Sequence, residues 1–212
     1  MAKKYRQLPR MMVVSSGGEH LLHNGLALLQ ADAMALSGPV IYQLREKGLE
    51  AGALYALCRQ IAPIIKSSGS LFMVNERFDI ALASGAQGVH LPESSCPVDS
   101  IRKAAPGLIT GQSVHGPASA LTSEKAGIDY LLFGPVFSTP SKEPFGPPQG
   151  LEALREVCRS VSIPVFAVGG ITPDRACACI ENGAYGVAAL GSFLDAGTLP
   201  ETVNRFRSFI PS

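Results

Sequence analysis

Eight short apolar runs punctuate the chain and limit what it can fold into: MMVVS (11–15), VIYQL (40–44), SLFMV (70–74), GVHL (88–91), LITGQS (108–113), DYLLFG (129–134), IPVFAVG (163–169) and YGVAALG (185–191). Runs that are apolar throughout, instead of alternating, suit strands buried on both faces, as in a parallel sheet covered by helices. The segments between them carry helical spacing. In 151–161, Leu151, Leu154, Val157 and Cys158 share one face, and Glu152, Arg155 and Arg159 the other. Thr172 before Pro173 reads as a helix N-cap with proline at the first helical position, and Asn182-Gly183 as the stop of that helix. Strict strand–helix alternation implies right-handed crossovers. Eight such units in 212 residues predict an α/β fold, a single-domain (β/α)8 TIM barrel over 1–212. A doubly wound sheet fits less well, because SSGGEH after the first run is not a G-x-G-x-x-G turn.

Charge excludes several classes of partner. A net charge of +1, with no basic run longer than Lys3-Lys4, gives no footprint for nucleic acid or an anionic membrane. No stretch approaches the ~18 apolar residues of a membrane span, and the first twenty residues lack a signal-peptide core, so a cytoplasmic protein is expected. Cys58, Cys96, Cys158, Cys177 and Cys179 are odd in number and read as reduced thiols; Cys177 and Cys179, two apart on a helix, do not share a face.

In a TIM barrel the chemistry lies at the C-terminal ends of the strands. After strand 2 come Gln43, Arg45 and Lys47, on one side of an extended chain; after strand 3, Asn75, Glu76 and Arg77; after strand 5, Ser113 and His115. The long segment GPVFSTPSKEPFGPPQG (134–150) adds Thr139, Ser141 and Lys142. Cations converging on one mouth point to a ligand bearing phosphate or carboxylate, although pairing with Glu46, Glu76 or Glu93 would absorb one or two of them. Gly169, Gly170 and Gly191, where helices begin after strands 7 and 8, suit a phosphate approached by backbone N–H groups; tight turns are the alternative use of glycine there. His115 is the candidate for proton transfer, a solvated turn residue being the alternative. His90, within an apolar run, reads as a core or strand-end histidine bonded to backbone, and His20 and His23 as surface residues.

Taken together, YQLREK, VNERFDIALASGAQGVHL, GQSVH, DYLLFGPVFSTPSK, PVFAVGGITPD and GAYGVAALGSF resemble, in that order, the thiamin phosphate synthase and thiazole tautomerase (TenI-type) family over nearly the whole chain. The resemblance implies a (β/α)8 barrel acting in thiamin biosynthesis on a small phosphorylated thiazole. In the synthase branch that thiazole joins an aminopyrimidine pyrophosphate through a pyrimidine cation, with magnesium holding the pyrophosphate. The tautomerase branch isomerises a carboxylated thiazole phosphate and needs no metal.

Carried over by the resemblance, Gln43, Arg45, Lys47 and Asn75 contact the pyrimidine and pyrophosphate with Thr139, Ser141 and Lys142, while Gly170, Leu190 and Gly191 cradle the thiazole phosphate; Arg77, Ser113 and Gly169, at the same strand ends, complete the expected binding set. The synthase pattern has Asn-Asp-Arg where this chain has Asn75-Glu76-Arg77, and a second aspartate where it has Ser95. Glu76 is then the remaining metal-ligand candidate, in a site weakened for magnesium; compensation by Glu93 reaching across is the alternative, against which Pro92 alters the turn that would aim it. LPESS after strand 4 and SVH at 113–115 resemble the tautomerase branch, so the expectation is an isomerase with His115 as general acid–base catalyst and no cofactor. The two alternatives are a thiamin phosphate synthase (a transferase) with an altered magnesium site and a non-catalytic binder of thiazole or thiamin phosphate. A homodimer through the uncharged helix near 27–36 is a further expectation.

Overall fold

The computed structural model describes residues 8–15, 23–139 and 146–210. Eight strands, β1 Met11–Val14, β2 Ile41–Leu44, β3 Leu71–Asn75, β4 Gly88–Leu91, β5 Ile109–Val114, β6 Tyr130–Phe133, β7 Val165–Val168 and β8 Gly186–Ala189, fall within the eight apolar runs or one residue beyond them. They are parallel, follow chain order and close into a barrel, with β8 pairing β1 through Met11 and Val187. Each strand is followed by a helix: α1 His23–Ser37, α2 Ala51–Ser67, α3 Phe78–Ser84, α4 Val98–Ala104, α5 Pro117–Lys125, α6 Gly150–Ser160, α7 Pro173–Glu181 and α8 Leu199–Phe209. The N-cap of α7 is Thr172 and its C-cap Asn182, as the sequence predicts, although the Thr172 side chain makes no capping hydrogen bond.

Strand periodicity divides the apolar residues into two cores. One lies between the barrel and its helices, with Tyr42, Phe72, Val89, Leu131, Phe133 and Ala167 facing outward onto helical residues such as Ile61, Ile101 and Leu154. The other fills the barrel itself: Met12, Ile41, Met73, Tyr130, Leu132, Phe166 and Ala188. These interior side chains fit because small residues oppose them. A Cβ on Gly111 would lie 2.0 Å from Cζ of Tyr130, and one on Gly88 2.5 Å from Cε of Met73.

The same parity continues upward, so that Gln43, Asn75, His90 and Ser113 crown this interior at the C-terminal end, where Asn75 is in register with His90 and His90 with Gly111. No described helix is long and apolar enough to cross a membrane. All five cysteines are free, and Cys177 is exposed while Cys179 is buried, the opposite facing expected of neighbours two apart. Helix α1 leaves Leu29 and Leu36 exposed.

Candidate active site

Four strand ends build one cavity of about 530 Å³ at the C-terminal mouth. Arg45 and Lys47 line it after β2, Asn75 and Glu76 from β3, His90, Pro92, Glu93 and Ser94 from β4, and Ser113 and His115 from β5. The path of the chain into this cavity is braced. Ser15, fully buried, donates its N–H to Gln43 O at 3.0 Å, and its Oγ accepts from Arg45 N at 2.8 Å, which fixes the backbone from which the Arg45 side chain departs. Beneath the cavity, Gln43 Nε2 donates to Asn75 Oδ1 at 3.0 Å, and Asn75 Nδ2 donates to Glu76 Oε2 at 3.3 Å. Gln43 is 2% exposed, and its Oε1 is a buried acceptor with no partner among the described residues.

The turn after β3 is strained to aim a carboxylate. Glu76 has φ 61°, a left-handed conformation costing a non-glycine residue about 1–2 kcal/mol. It is held there by its N–H donating to His90 O at 2.8 Å and by Arg77 N donating to Asn75 O at 2.7 Å. Strain of this kind collects at functional sites. Glu76→Gly should therefore raise stability by about 0.5–1 kcal/mol, the relieved strain outweighing the added freedom of the unfolded chain, while deleting a carboxylate from the cavity. Chemical denaturation of the two proteins checks this.

Charges at the mouth are distributed unevenly. Glu93 is bonded to Nδ1 of His115, which is exposed on the turn after β5. Arg77 turns away: its guanidinium makes a bidentate pair with Asp79 at 2.9 and 2.6 Å, which holds the Asp79 carboxyl below its ordinary range, and it does not line the cavity. The side chains of Arg45 and Lys47, by contrast, have no hydrogen bond or ion pair among the described residues. Ion pairing with Glu46, Glu76 or Glu93 therefore does not absorb them.

His90 is the residue the sequence undervalued. It bonds two side chains, with Nδ1 3.2 Å from Tyr130 Oη and Nε2 2.9 Å from Ser113 Oγ. Burial, assisted by the nearby Arg45 cation, lowers its pKa from 6.5 to about 3. Its period-2 position on β4, inward like Gly88, was the available signal. The folded pKa lies below the unfolded one, so this contribution to stability is intact above pH 6.5 and is lost as pH falls from there toward 3. The maximal slope is about 1.4 kcal/mol per pH unit. Comparing wild type with His90→Gln, which cannot titrate, by denaturation at about pH 7 and about pH 5 should show the larger acid loss in wild type.

Of the remaining expected residues, those that the structure describes do not line this cavity. Gly169 and Gly170, at the end of β7, have φ 95° and 62°. A Cβ on Gly170 would fall 2.5 Å from Ser138 O, because the chain leaving β6 packs directly on them, with Val136 N donating to Val168 O and Phe137 N to Gly169 O. Leu190 packs at the rim of the barrel interior, and exposed Gly191 opens a 3-10 turn through Phe193. Thr139, on the segment after β6, is partly buried, whereas Ser141 and Lys142 lie outside the described residues. Ser95 donates its Oγ to Cys96 O and does not line the cavity; its neighbour Ser94 does.

Comparison with known proteins decides the family. The family described as thiamine monophosphate synthase matches residues 11–193. The chain belongs to that family. A putative thiamine-phosphate synthase 2 of Aquifex aeolicus is 40% identical over 192 residues, covering 89% of this chain and 100% of the relative. The thiamine-phosphate synthase of Methanoculleus marisnigri is 37% identical over 194 residues, 91% of this chain and 90% of the relative. Among solved structures, a thiamine phosphate pyrophosphorylase from Pyrococcus furiosus superposes with TM-score 0.82 at 30% identity, covering 96% of this chain and 95% of that one.

Membership in the synthase family corrects the expected reaction. The expected isomerase of the tautomerase branch is overturned by relatives at 35–41% identity that are named synthases, that is, transferases. Ser95 stands where the synthase pattern has its second aspartate, and in the structure Glu93, two residues earlier, lines the same cavity as Glu76.

Proposed function

We propose that the chain is a thiamine-phosphate synthase, joining a thiazole phosphate to an aminopyrimidine pyrophosphate and releasing pyrophosphate. The observation that carries this reading is the composition of one cavity, in which Arg45 and Lys47, two cations without an ion pair among the described residues, share the wall with two carboxylates, Glu76 and Glu93. Cations alone would suit any anion. Carboxylates beside them suit an anion that arrives with a divalent metal.

The donor set fits magnesium. No group of three or more His, Cys, Asp or Glu able to hold a metal occurs among the described residues, and magnesium is commonly held by one or two carboxylates plus substrate phosphates, not by an all-protein cage. Glu76 and Glu93 would supply those carboxylates, with His115 orienting Glu93. Bound magnesium would neutralise part of the pyrophosphate charge and make it a better leaving group.

The chain's own residues then have definable tasks. The bond between the pyrimidine's methylene carbon and the pyrophosphate oxygen breaks, and its electron pair leaves with pyrophosphate. Arg45 and Lys47 stabilise the charge that grows on that oxygen. The thiazole ring nitrogen donates its lone pair to the methylene carbon, forming the C–N bond without redox change. The unpartnered Gln43 Oε1 is an acceptor suited to an exocyclic amine of the pyrimidine. Gly169, Gly170, Leu190 and Gly191 are proposed to hold the thiazole phosphate, and Thr139, Ser141 and Lys142 to contact the pyrophosphate. Assembly as a homodimer through α1, where Leu29 and Leu36 are exposed, belongs to the same proposal.

Calorimetric titration with pyrophosphate tests the site. Binding should require magnesium and weaken at least tenfold in the Glu76→Gln, Glu93→Gln double variant. Binding unaffected by removing magnesium and both carboxylates would overturn this reading of the cavity.

A further inference from the structure

Below the cavity, Tyr130, His90 and Ser113 form a continuous chain of hydrogen bonds whose direction is fixed by its buried end. Tyr130 is fully buried, and its hydroxyl, which keeps its proton because burial raises its pKa, has His90 Nδ1 as its only hydrogen-bond partner among the described residues. Were Tyr130 to accept from Nδ1–H, its own proton would be left buried without an acceptor. Tyr130 therefore donates to Nδ1. His90, 2% exposed, is neutral in this setting and carries one N–H, which must then be on Nε2, donating to Ser113 Oγ at 2.9 Å. Ser113 lines the cavity, and its hydroxyl proton has no acceptor among the described residues.

We propose that Tyr130 is a positioning residue that, acting through the His90 tautomer, commits the Ser113 hydroxyl to donate into the cavity, so that the ligand atom facing Ser113 is an unprotonated hydrogen-bond acceptor. With the opposite tautomer, Ser113 would spend its proton on Nε2 and offer only lone pairs, which would favour a donor and repel an anionic oxygen. Arg45 and Lys47 line the same cavity, so a donating Ser113 acts in concert with them toward an anion. The kinetic consequence rests on the synthase reading; the tautomer does not.

The test is nitrogen NMR of the full-length chain labelled with 15N-histidine. Of the four histidine signals, that of His90 is identified by its loss in His90→Gln. The expected result is an Nε2–H tautomer in wild type, giving way to a mixture or to Nδ1–H in Tyr130→Phe. Tyr130→Phe should also lose roughly tenfold in kcat/KM, and His90→Gln, which keeps an N–H donor toward Ser113, should retain more activity than His90→Leu. An Nδ1–H tautomer in wild type overturns the proposal, even if Tyr130→Phe fails to fold. So does a Tyr130→Phe spectrum with the tautomer unchanged. Absence of turnover in a wild type showing the Nε2–H tautomer would instead count against the synthase reading alone.

Discussion

Arg45→Met should lower kcat/KM for thiamine phosphate formation by roughly 10²–10³-fold while leaving the melting temperature within a few degrees of wild type. The size of the effect follows from preorganisation. Arg45 departs from backbone clamped by Ser15, lines the cavity, and has no side-chain hydrogen bond or ion pair among the described residues to be lost from the fold. A donor held in place before the reaction needs no reorganisation when charge develops on the leaving oxygen, and removing one such donor typically costs two to three orders of magnitude. Methionine keeps the stem's packing and removes only the charge and the fork of N–H donors. Lys47 is exposed and more fully solvated, so the corresponding Lys47→Met loss should be smaller. Steady-state kinetics of the two variants checks both the magnitude and the order.

Gly111→Ala should have the largest effect on stability, about 3 kcal/mol or more. The added Cβ would lie 2.0 Å from Tyr130 Cζ and 2.4 Å from its Oη, inside a barrel whose interior is packed by Met73, Phe166 and Leu132. Tyr130 cannot yield cheaply, since its ring packs edge-on to Phe166 at 5.5 Å and stacks with His90 at 5.7 Å. Displacing it would break the bond to His90 as well, so the variant should lose activity out of proportion to the fraction unfolded. Denaturant unfolding, read beside activity at a temperature where the variant remains folded, separates the two losses.

Gly111 also shows how the sequence and the fold relate. The eight apolar runs and their spacing were enough for a parallel barrel, because burial on both faces leaves a mark on every residue of a strand. The inward cluster of Gln43, Asn75 and Ser113 was legible for a similar reason: alternation along a strand is rigid, so parity assigns a face. His90 obeyed the same parity, but its apolar neighbours Val89 and Leu91 face the helices and disguised a polar interior position.

Residues on turns were harder. Arg77 stands in a motif that suggests an anion contact, yet the left-handed turn at Glu76 carries it to Asp79. The β4–α4 turn is the clearest case, since nothing in LPESS alone reveals which of its side chains enters the mouth. Position-by-position matching pointed to Ser95 and a lost carboxylate; three-dimensional placement puts Glu93 in the wall with Glu76. Loop conformation depends on contacts from distant parts of the chain, here the bond between Glu93 and His115, which are 22 residues apart.

The most direct measurement is turnover by the purified chain supplied with the thiazole phosphate and the aminopyrimidine pyrophosphate, with magnesium and then with a chelator. A thiamine-phosphate synthase will form thiamine phosphate with one pyrophosphate released per product, and chelation will stop it. No coupled product from the two substrates, or coupling at an unchanged rate under chelation, would contradict the account.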